Sequence, residues 1–350
     1  MSGMKPLRHF TTLTRLWAAS LSDHIIALTW SPDGRYVAAA AIDGPIQVLD
    51  GATGTLVAQY AGHRFGTMAL AWKADSQLLA SGGQDGVIRL WDINTGTVLS
   101  TLEAGAMWVE HLAWSPAGDA FPPQQVLASA AGKTLRLWES TGHLLRSYPE
   151  HPSTIAAIQW QPHAPYLTSA AYSRVALWDI TSDTPQRDFQ WKGSILTMSW
   201  SPDGRYIAAG EQDATVHFWF AKTGKDLQMW GYPTKVRALS WSADSRWLAT
   251  GGAAEVTVWD CLKSPAGSKP LQLRAHDQLL SHLAWQHRGP WLASAGDDGR
   301  LALWKPARST KAMAGVRLHA ALTKLAWSPD DQCLAIGTAL GTVCAVATPP

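Results

Sequence analysis

The sequence predicts an all-β protein built as a closed ring of repeated four-stranded sheets. Three observations support this prediction: a tryptophan that recurs at a near-constant interval, short apolar strands between turn residues, and a second tryptophan column inside the repeat. The repeat is clearest from Gly62 to Asp92, where MALAW, QLLAS and GVIRLW are separated by KADS and GGQD. Alternating aliphatic and aromatic residues favour half-buried strands, and glycine beside aspartate favours tight hairpins.

The repeat has eight copies. The tryptophan that ends the first strand recurs every 40 to 46 residues, a spacing typical of propeller blades rather than helical solenoids. The members of this column are Trp30, Trp72, Trp114, Trp160, Trp200, Trp241, Trp285 and Trp327. A second column, at the end of the third strand, contains Trp91, Trp138, Trp178, Trp219, Trp259 and Trp304. Fourteen of the twenty tryptophans therefore have a structural place in the repeat.

The two ends of the chain are predicted to share one blade. We name the strands of a blade a, b, c and d; seven d strands lie between consecutive repeats, but the last a–b–c set has none after it. A spare strand, TRLWAAS (14–20), precedes the first a strand. We expect it to complete the blade formed by 318–350, which gives eight blades in one domain (14–350) after an N-terminal extension (1–13). Closure covers both apolar faces of every blade, and a seven-bladed ring is the alternative.

Several short motifs carry a resemblance to a known family. They are Gly62-His63, SPDGRY at 31–36 and 201–206, LASGGQDG at 79–86, LASAGDDG at 292–299, and Trp-Asp at 91–92, 178–179 and 259–260. In these motifs, and over almost its whole length, the chain resembles the WD40-repeat family, and its single ring resembles prokaryotic members. The resemblance implies a non-catalytic interaction platform whose d–a and b–c loops form the partner-docking "top face".

Two sets of four residues match the hydrogen-bonded tetrad of that family. They are His63, Ser81, Asp85 and Trp91, and, at identical spacing, His276, Ser294, Asp298 and Trp304. A serine, a histidine and an aspartate could suggest acyl transfer. The set occurs in two blades, however, and its members can satisfy one another's hydrogen bonds inside a blade. We therefore expect structural tetrads, no catalytic residues, and a protein that is not an enzyme.

The amino-acid composition limits the cellular environments and the classes of binding partner that we expect for this protein. An apolar content of 46% with 16% charged residues indicates a folded globular protein, and a net charge of +2 selects neither nucleic acid nor an anionic membrane. No apolar run approaches the ~20 residues of a membrane-spanning helix. Cys261, Cys333 and Cys344 have neither zinc-ligand spacing nor a disulfide framework, which favours free thiols and a cytoplasmic location. No cofactor and no metal site is predicted.

The partner surface is predicted from positions where a repeat column changes character. Six residues before the strand-a tryptophan the column contains Trp108 and Lys235, followed by Glu110 and Arg237. The position before the hairpin aspartate contributes further polar residues. The predicted protein-binding set is Trp108, Glu110, Lys235, Arg237, Tyr172, Gln84, Gln212 and Asp297. An exposed aromatic beside charges is typical of interface anchors; the alternative is that Trp108 folds back onto local packing.

Two function classes follow. The leading hypothesis is a scaffold that binds a protein or peptide on the top face and channel mouth, as a single ring within a complex. The alternative is a ligand or metal site in the central channel, possibly catalytic, where His111, His282 and Lys324 are the polar residues of strand a. His111 and His282 fall in opposite blades, too far apart to share an ion at ~2 Å. The basic stretch KPARSTK (305–311) is predicted to be a solvated loop.

Overall fold

The computed structural model describes residues 5–6, 11–122, 124–262, 265 and 267–349. Helices are absent from this part of the chain, so it holds none long and apolar enough to cross a membrane. The strands form eight sheets, and each strand a contacts strand a of the next blade, the last returning to the first. The predicted eight-bladed, all-β propeller is confirmed.

Blades 1 to 4 follow one another along the chain, each with strands in the order a, b, c and d. Blade 1 consists of Ile25–Trp30, Tyr36–Ala41, Ile46–Asp50 and Leu56–Tyr60. Blade 2 consists of Thr67–Trp72, Leu78–Gly83, Val87–Asp92 and Val98–Glu103. Blade 3 consists of Val109–Trp114, Val126–Ala131, Thr134–Glu139 and Leu144–Ser147. Blade 4 consists of Ala157–Trp160, Tyr166–Ala171, Arg174–Asp179 and Pro185–Gln190.

Blades 5 to 8 complete the ring. Blade 5 consists of Ile195–Trp200, Tyr206–Glu211, Val216–Phe220 and Asp226–Met229. Blade 6 consists of Ala238–Trp241, Trp247–Gly251, Glu255–Asp260 and Leu271–Arg274. Blade 7 contains Leu280–Trp285, Leu292–Gly296, Arg300–Trp304 and Ala314–Arg317. Blade 8 consists of Leu322–Trp327, Cys333–Thr338 and Thr342–Ala347, with Arg15–Ser20 as its strand d.

The hydrophobic core lies between neighbouring blades rather than inside any one of them. Ala80 and Leu90 of blade 2 pack in one buried cluster with Trp114 and Leu127 of blade 3. The strand-a indole also bonds across this boundary, because Trp114 Nε1 donates to the carbonyl oxygen of Ala71 at 3.1 Å. Burying one large apolar side chain is worth about 1.5–3 kcal/mol. Each blade therefore depends on both neighbours, which explains why the tryptophan recurs in every repeat.

Ring closure follows the prediction. Arg15–Ser20 pairs antiparallel with Thr342–Ala347, with Ala18 opposite Cys344. The N–H of Leu21 donates to the carbonyl oxygen of Gly341 at 2.8 Å and continues the pairing beyond the strand. The start of the chain thus supplies the outer strand of blade 8.

The residues before the closing strand pair with blade 7, which the repeat does not predict. Lys5–Pro6 pairs antiparallel with Ala314–Arg317, and Thr11–Thr12 pairs parallel with the same strand. Residues 1–4 and 7–10 of the predicted extension lie outside the described residues. The outer edge of blade 7 is therefore covered, and its sheet has six strands.

The connection between strands a and b of blade 3 is irregular and carries exposed residues. Asp119 and Ala120 are exposed, whereas Phe121 and Pro122 are half-buried. Pro123, the second proline of the pair, lies outside the described residues.

Candidate interaction surface on the top face

The two loop types of the top face are tied together by a recurring backbone hydrogen bond. In five blades the N–H of the residue at the b–c turn donates to a carbonyl oxygen of the d–a loop, at 2.9–3.0 Å. The donor–acceptor pairs are Ile42–His24, Gln84–Gly66, Gln212–Ser194, Asp297–Leu279 and Ala339–Ala321. The two sequence columns from which the partner surface is predicted are therefore in direct contact.

Trp108 is exposed on this face. Its side chain is 50% accessible, so half of the indole is free for contact rather than folded into local packing. Its backbone has a φ of 67°, in the left-handed region that bulky residues rarely adopt. Its N–H donates to the carbonyl oxygen of Gln84 at 3.4 Å, across the boundary between blades 2 and 3.

Phe65 is a second exposed aromatic with the same unusual backbone, and the sequence columns did not point to it. Its ring is 62% accessible and its φ is 68°. The Arg64 guanidinium lies 4.7 Å from the ring centroid, within cation–π range. The repeat position from which the partner surface is predicted is occupied in blade 2 by Gly66, one residue after Phe65. The left-handed φ of Phe65 cannot be inferred from its residue type.

Four exposed apolar side chains form one patch over blades 1 to 3, which we call the apolar rim. Its members are Ile42 (38% accessible), Phe65 (62%), Met107 (56%) and Trp108 (50%). The loops that carry them touch: a Cβ added to Gly66 would lie 2.2 Å from the carbonyl oxygen of Ile42. A Cβ added to Gly86 would lie 2.9 Å from the carbonyl oxygen of Ala106. The loops that carry these four residues are thus in contact across two blade boundaries.

Two other residues of the predicted set border this rim. Glu110 sits at a bulge in strand a of blade 3, and burial raises its pKa. Gln84 is half-buried, and its Nε2 lies 3.7 Å from Met68 Sδ. These two residues give the apolar rim a polar margin.

The remaining predicted residues lie on the same face but in other blades. Tyr172 is exposed in blade 4, Gln212 in blade 5, Arg237 in blade 6 and Asp297 in blade 7. Lys235, which is half-buried, also belongs to blade 6. Blade 6 is separated from Trp108 by two blades, so the structure does not bring Lys235 or Arg237 against the apolar rim.

Each of the two tetrads forms a chain of side-chain hydrogen bonds inside its blade. His276 Nδ1 lies 3.2 Å from Asp298 Oδ1, and His276 Nε2 lies 2.8 Å from Ser294 Oγ. Trp304 Nε1 donates to the same Ser294 Oγ at 2.9 Å. Burial alone would raise the pKa of Asp298, but the bonds from His276 and two backbone N–H groups hold it below the usual value.

The tetrad of blade 2 has the corresponding distances. His63 lies 2.7 Å from Ser81 Oγ and 3.0 Å from Asp85 Oδ1, and Trp91 Nε1 donates to Ser81 Oγ at 2.8 Å. These separations would suit a catalytic triad, but Ser81 is fully buried and its oxygen already accepts the indole N–H. A substrate therefore has no path to this hydroxyl.

Three other blades carry incomplete or altered versions of the tetrad. In blade 4, His151 and Trp178 both bond Ser169 Oγ, although the turn aspartate is missing and His151 Nδ1 has no partner. In blade 6, Tyr232 replaces the histidine and bonds Thr250 and Trp259. His151 stands nine residues before Trp160, as His63 stands before Trp72, so the sequence held this signal.

In blade 5 the same position holds Trp191, and a buried acid takes over its hydrogen bond. Trp191 Nε1 and Thr215 Oγ1 each donate to Glu211 Oε2 at 3.1 Å, while Glu211 Oε1 has no partner. Burial raises the pKa of Glu211 to about 7. Blade 5 therefore carries an ionisable group that is sensitive to pH in the neutral range.

The three polar residues predicted for the channel occupy equivalent positions in their strands a. His111, His282 and Lys324 each precede their strand-a tryptophan by three residues. Burial, reinforced by the Lys324 ammonium, lowers the pKa of His111 to about 4 and that of His282 to about 3. Blades 3 and 8 are not neighbours, so the ammonium acts across the channel. Clusters of three or more His, Cys, Asp or Glu side chains able to hold a metal are absent from the part of the chain that the structure describes.

The fold and the tetrads define a repeat β-propeller in which the tetrad side chains bond one another inside their blades. The family model described as "WD domain, G-beta repeat" matches residues 16–44, 54–92, 142–179, 184–219, 224–260 and 267–305, which is more than half of the chain. The chain belongs to the WD40-repeat family.

Three relatives share parts of this repeat region. Ribosome biogenesis protein BOP1 of Rattus norvegicus is 32% identical over 79 residues, which is 23% of this chain and 11% of the relative. U3 small nucleolar RNA-associated protein 15 homolog of Xenopus tropicalis is 25% identical over 136 residues, which is 39% of this chain and 26% of the relative. Meiotic fizzy-related protein 1 of Schizosaccharomyces pombe is 27% identical over 128 residues, which is 36% of this chain and 30% of the relative. The chain therefore spans less than a third of the length of these relatives.

A solved structure resembles the whole ring. The computationally designed Ika8 protein superposes with a TM-score of 0.78 at 24% identity, covering 95% of this chain and 99% of that one. This likeness concerns the fold alone.

Proposed function

We propose that this protein is a non-catalytic scaffold that binds another protein or a peptide on its top face, with the apolar rim as the anchoring region. The rim consists of Ile42, Phe65, Met107 and Trp108; all four are exposed, and the loops that carry them are in contact. Aromatic side chains surrounded by polar residues are the usual energetic centres of protein interfaces. A partner with an apolar helix or loop is the chemistry that fits.

The observation that best supports this proposal is the backbone of Phe65 and Trp108. Both bulky residues are held at φ values of 68° and 67°, a conformation that costs of the order of 1–3 kcal/mol. The other non-glycine residues with positive φ among those described are small or polar, apart from His163. Strain of this kind persists where the side chain is needed in that position, and here both strained side chains point outward.

The family and the relatives support the same class of function. WD40 propellers typically serve as protein-interaction scaffolds. Two of the relatives are named for ribosome biogenesis and for association with a small nucleolar RNA. We infer a role as one ring within a larger assembly, acting through protein contacts; the relatives' own partners are not transferred to this chain.

Capture of partners from an extract of the source cells, read by mass spectrometry, tests the proposal. Trp108→Ala should remove the bound partner, and combination with Phe65→Ala should remove any remainder, while the melting temperature changes little. Trp230→Ala is the matched control, because Trp230 is also exposed on the top-face side but lies near blade 6. Retention of the same proteins by the Trp108 variant would refute the rim as the docking region.

A further inference from the structure

Two adjoining cavities on the opposite, bottom face define a second site. The first, about 570 Å³, opens at the bottom mouth of the channel beside blades 7 and 8. The second, about 270 Å³, lies between the turns of blades 6 and 7. Trp285 and Arg288 line both of them, so they form one groove. We call it the basic groove.

The cationic side chains that line the groove outnumber its acidic ones. Arg288 lines both cavities, and Lys305 and Arg308 line the second. None of the three is in an ion pair within the described ranges. One acid, Asp244, is among the lining residues, and its Oδ1 already accepts bonds from Ser242 Oγ and the Arg246 N–H in its own turn.

The turn that presents Arg288 is held in place by the next blade. The buried carboxylate of Asp331 accepts the backbone N–H groups of His287, Arg288 and Gly289 at 2.8, 2.7 and 3.0 Å. The other turns of this type that follow the SPDGRY pattern make no such three-fold contact within the described residues. Because its backbone is already ordered, Arg288 loses less conformational freedom when it meets a ligand.

Lys305 and Arg308 are mutually repelling neighbours. The Lys305 Nζ lies 3.9 Å from the centroid of the Trp291 ring. Burial and the Arg308 guanidinium both lower the pKa of Lys305. An anion placed between these cations would relieve the repulsion, which favours a ligand with several negative charges.

We propose that the basic groove binds an acidic peptide segment, with carboxylates against Arg288, Lys305 and Arg308 and an apolar side chain in the channel-mouth cavity. The wall of that cavity is largely apolar, with Pro32, Leu325 and Pro329 beside the polar Thr29, Ser240 and His287. Arginine forks match carboxylate geometry, and the separation of a charged end from an apolar end fits an amphipathic segment.

The same charges could attract single-stranded nucleic acid, but the aromatic rings argue for peptide. Nucleobases need free ring faces for stacking. Here Lys305 covers the face of Trp291, and the Arg246 guanidinium lies 4.6 Å from the Trp247 ring centroid. Trp285 is buried. No stacking platform remains among these rings.

Fluorescence anisotropy with a labelled peptide of four glutamates around one phenylalanine tests the proposal. Wild-type protein should bind it, and Arg288→Gln with Arg308→Gln should weaken the affinity at least tenfold. Exchanging the phenylalanine of the peptide for alanine should weaken it several-fold. The melting temperature of each variant verifies that the ring is folded.

A second double variant controls for loss of charge alone. Lys222→Gln with Lys225→Gln removes two exposed cations from the c–d turn of blade 5 on the same face, and its affinity should stay within twofold of wild type. Trp108→Ala should also bind the peptide normally, which separates this site from the top-face proposal. Absence of wild-type binding, equal losses in both double variants, or tighter binding of an oligouridylate than of the peptide would overturn it.

Discussion

The main-chain N–H of Trp108 donates to the carbonyl oxygen of Gln84 at 3.4 Å, and the N–H of Gln84 donates to Gly66 at 3.0 Å. Through these two bonds an exposed indole of blade 3 is attached to the turn and the loop of blade 2. The contact explains how a residue in a left-handed conformation can be held at an exposed edge. The conformation of Trp108 therefore depends on blade 2 as well as on blade 3.

Glycine at position 108 should be tolerated better than alanine. Glycine adopts a φ of 67° without penalty, whereas alanine keeps the strain, so we expect Trp108→Gly to be about 1 kcal/mol more stable than Trp108→Ala in urea denaturation. Trp230 is absent from the residues with positive φ. There the order should reverse, with alanine the more stable variant; the same order at both positions would show that the backbone of Trp108 is not strained.

Removing the tetrad serine should cost more than removing the corresponding serine of blade 3. Ser81 bonds both His63 and Trp91, whereas Ser129 bonds only Trp138 among the side chains described. A buried group left without its partner costs about 1–3 kcal/mol. We expect Ser81→Ala to lower the free energy of unfolding by more than Ser129→Ala, as measured by chemical denaturation. Equal losses would mean that His63 contributes nothing to the tetrad.

Glu211 should make stability depend on pH. Burial raises its pKa from the ordinary 4.5 to about 7, so the unfolded chain ionises first as pH rises. Stability linked to this group is fully present below about pH 4.5 and is lost as the pH rises to about 7. Glu211→Gln should therefore match wild type at pH 4 and be more stable at pH 8, by about 1–3 kcal/mol.

Urea denaturation at pH 4, 6 and 8 measures this difference. Glu103→Gln is the control, because Glu103 is exposed at the outer strand of blade 2. A Glu211→Gln difference that stays constant over this pH range would contradict a raised pKa in the folded state.

Lys324→Met should raise the pKa of both channel histidines. Burial is the larger cause of their low values, about 4 for His111 and about 3 for His282, and the Lys324 ammonium is the second. Both values should therefore increase in the variant yet remain below the ordinary 6.5, as followed by NMR titration of the imidazole nitrogens. Unchanged values would place the lysine away from the two rings; Lys192→Met, at an exposed lysine, is the control.

Much of the fold is predictable from sequence because each blade repeats one solution to one packing problem. The strand-a tryptophan is needed wherever two blades meet, so its column counts the blades directly. The tetrads are predictable for the same reason, because their residues recur at fixed spacing. His151 could have been predicted in this way too, since it keeps the spacing of His63 although its blade lacks the turn aspartate.

The surface is less predictable because it depends on geometry that the residue type does not encode. No feature of the repeat marks Phe65 as exposed in the sequence, because its exposure follows from its backbone φ angle. The pairing of Lys5–Pro6 with blade 7 has no counterpart in the other repeats, so no column could indicate it. The basic groove likewise arises where Asp331 of one blade orders the turn of another.

The shared blade imposes an order on biosynthesis. Arg15–Ser20 leaves the ribosome more than three hundred residues before the strand it pairs with, Thr342–Ala347. Loop closure over that separation is slow, and an unpaired edge invites wrong partners in the meantime. The nascent chain must therefore keep Arg15–Ser20 from aggregating until Thr342–Ala347 has been translated.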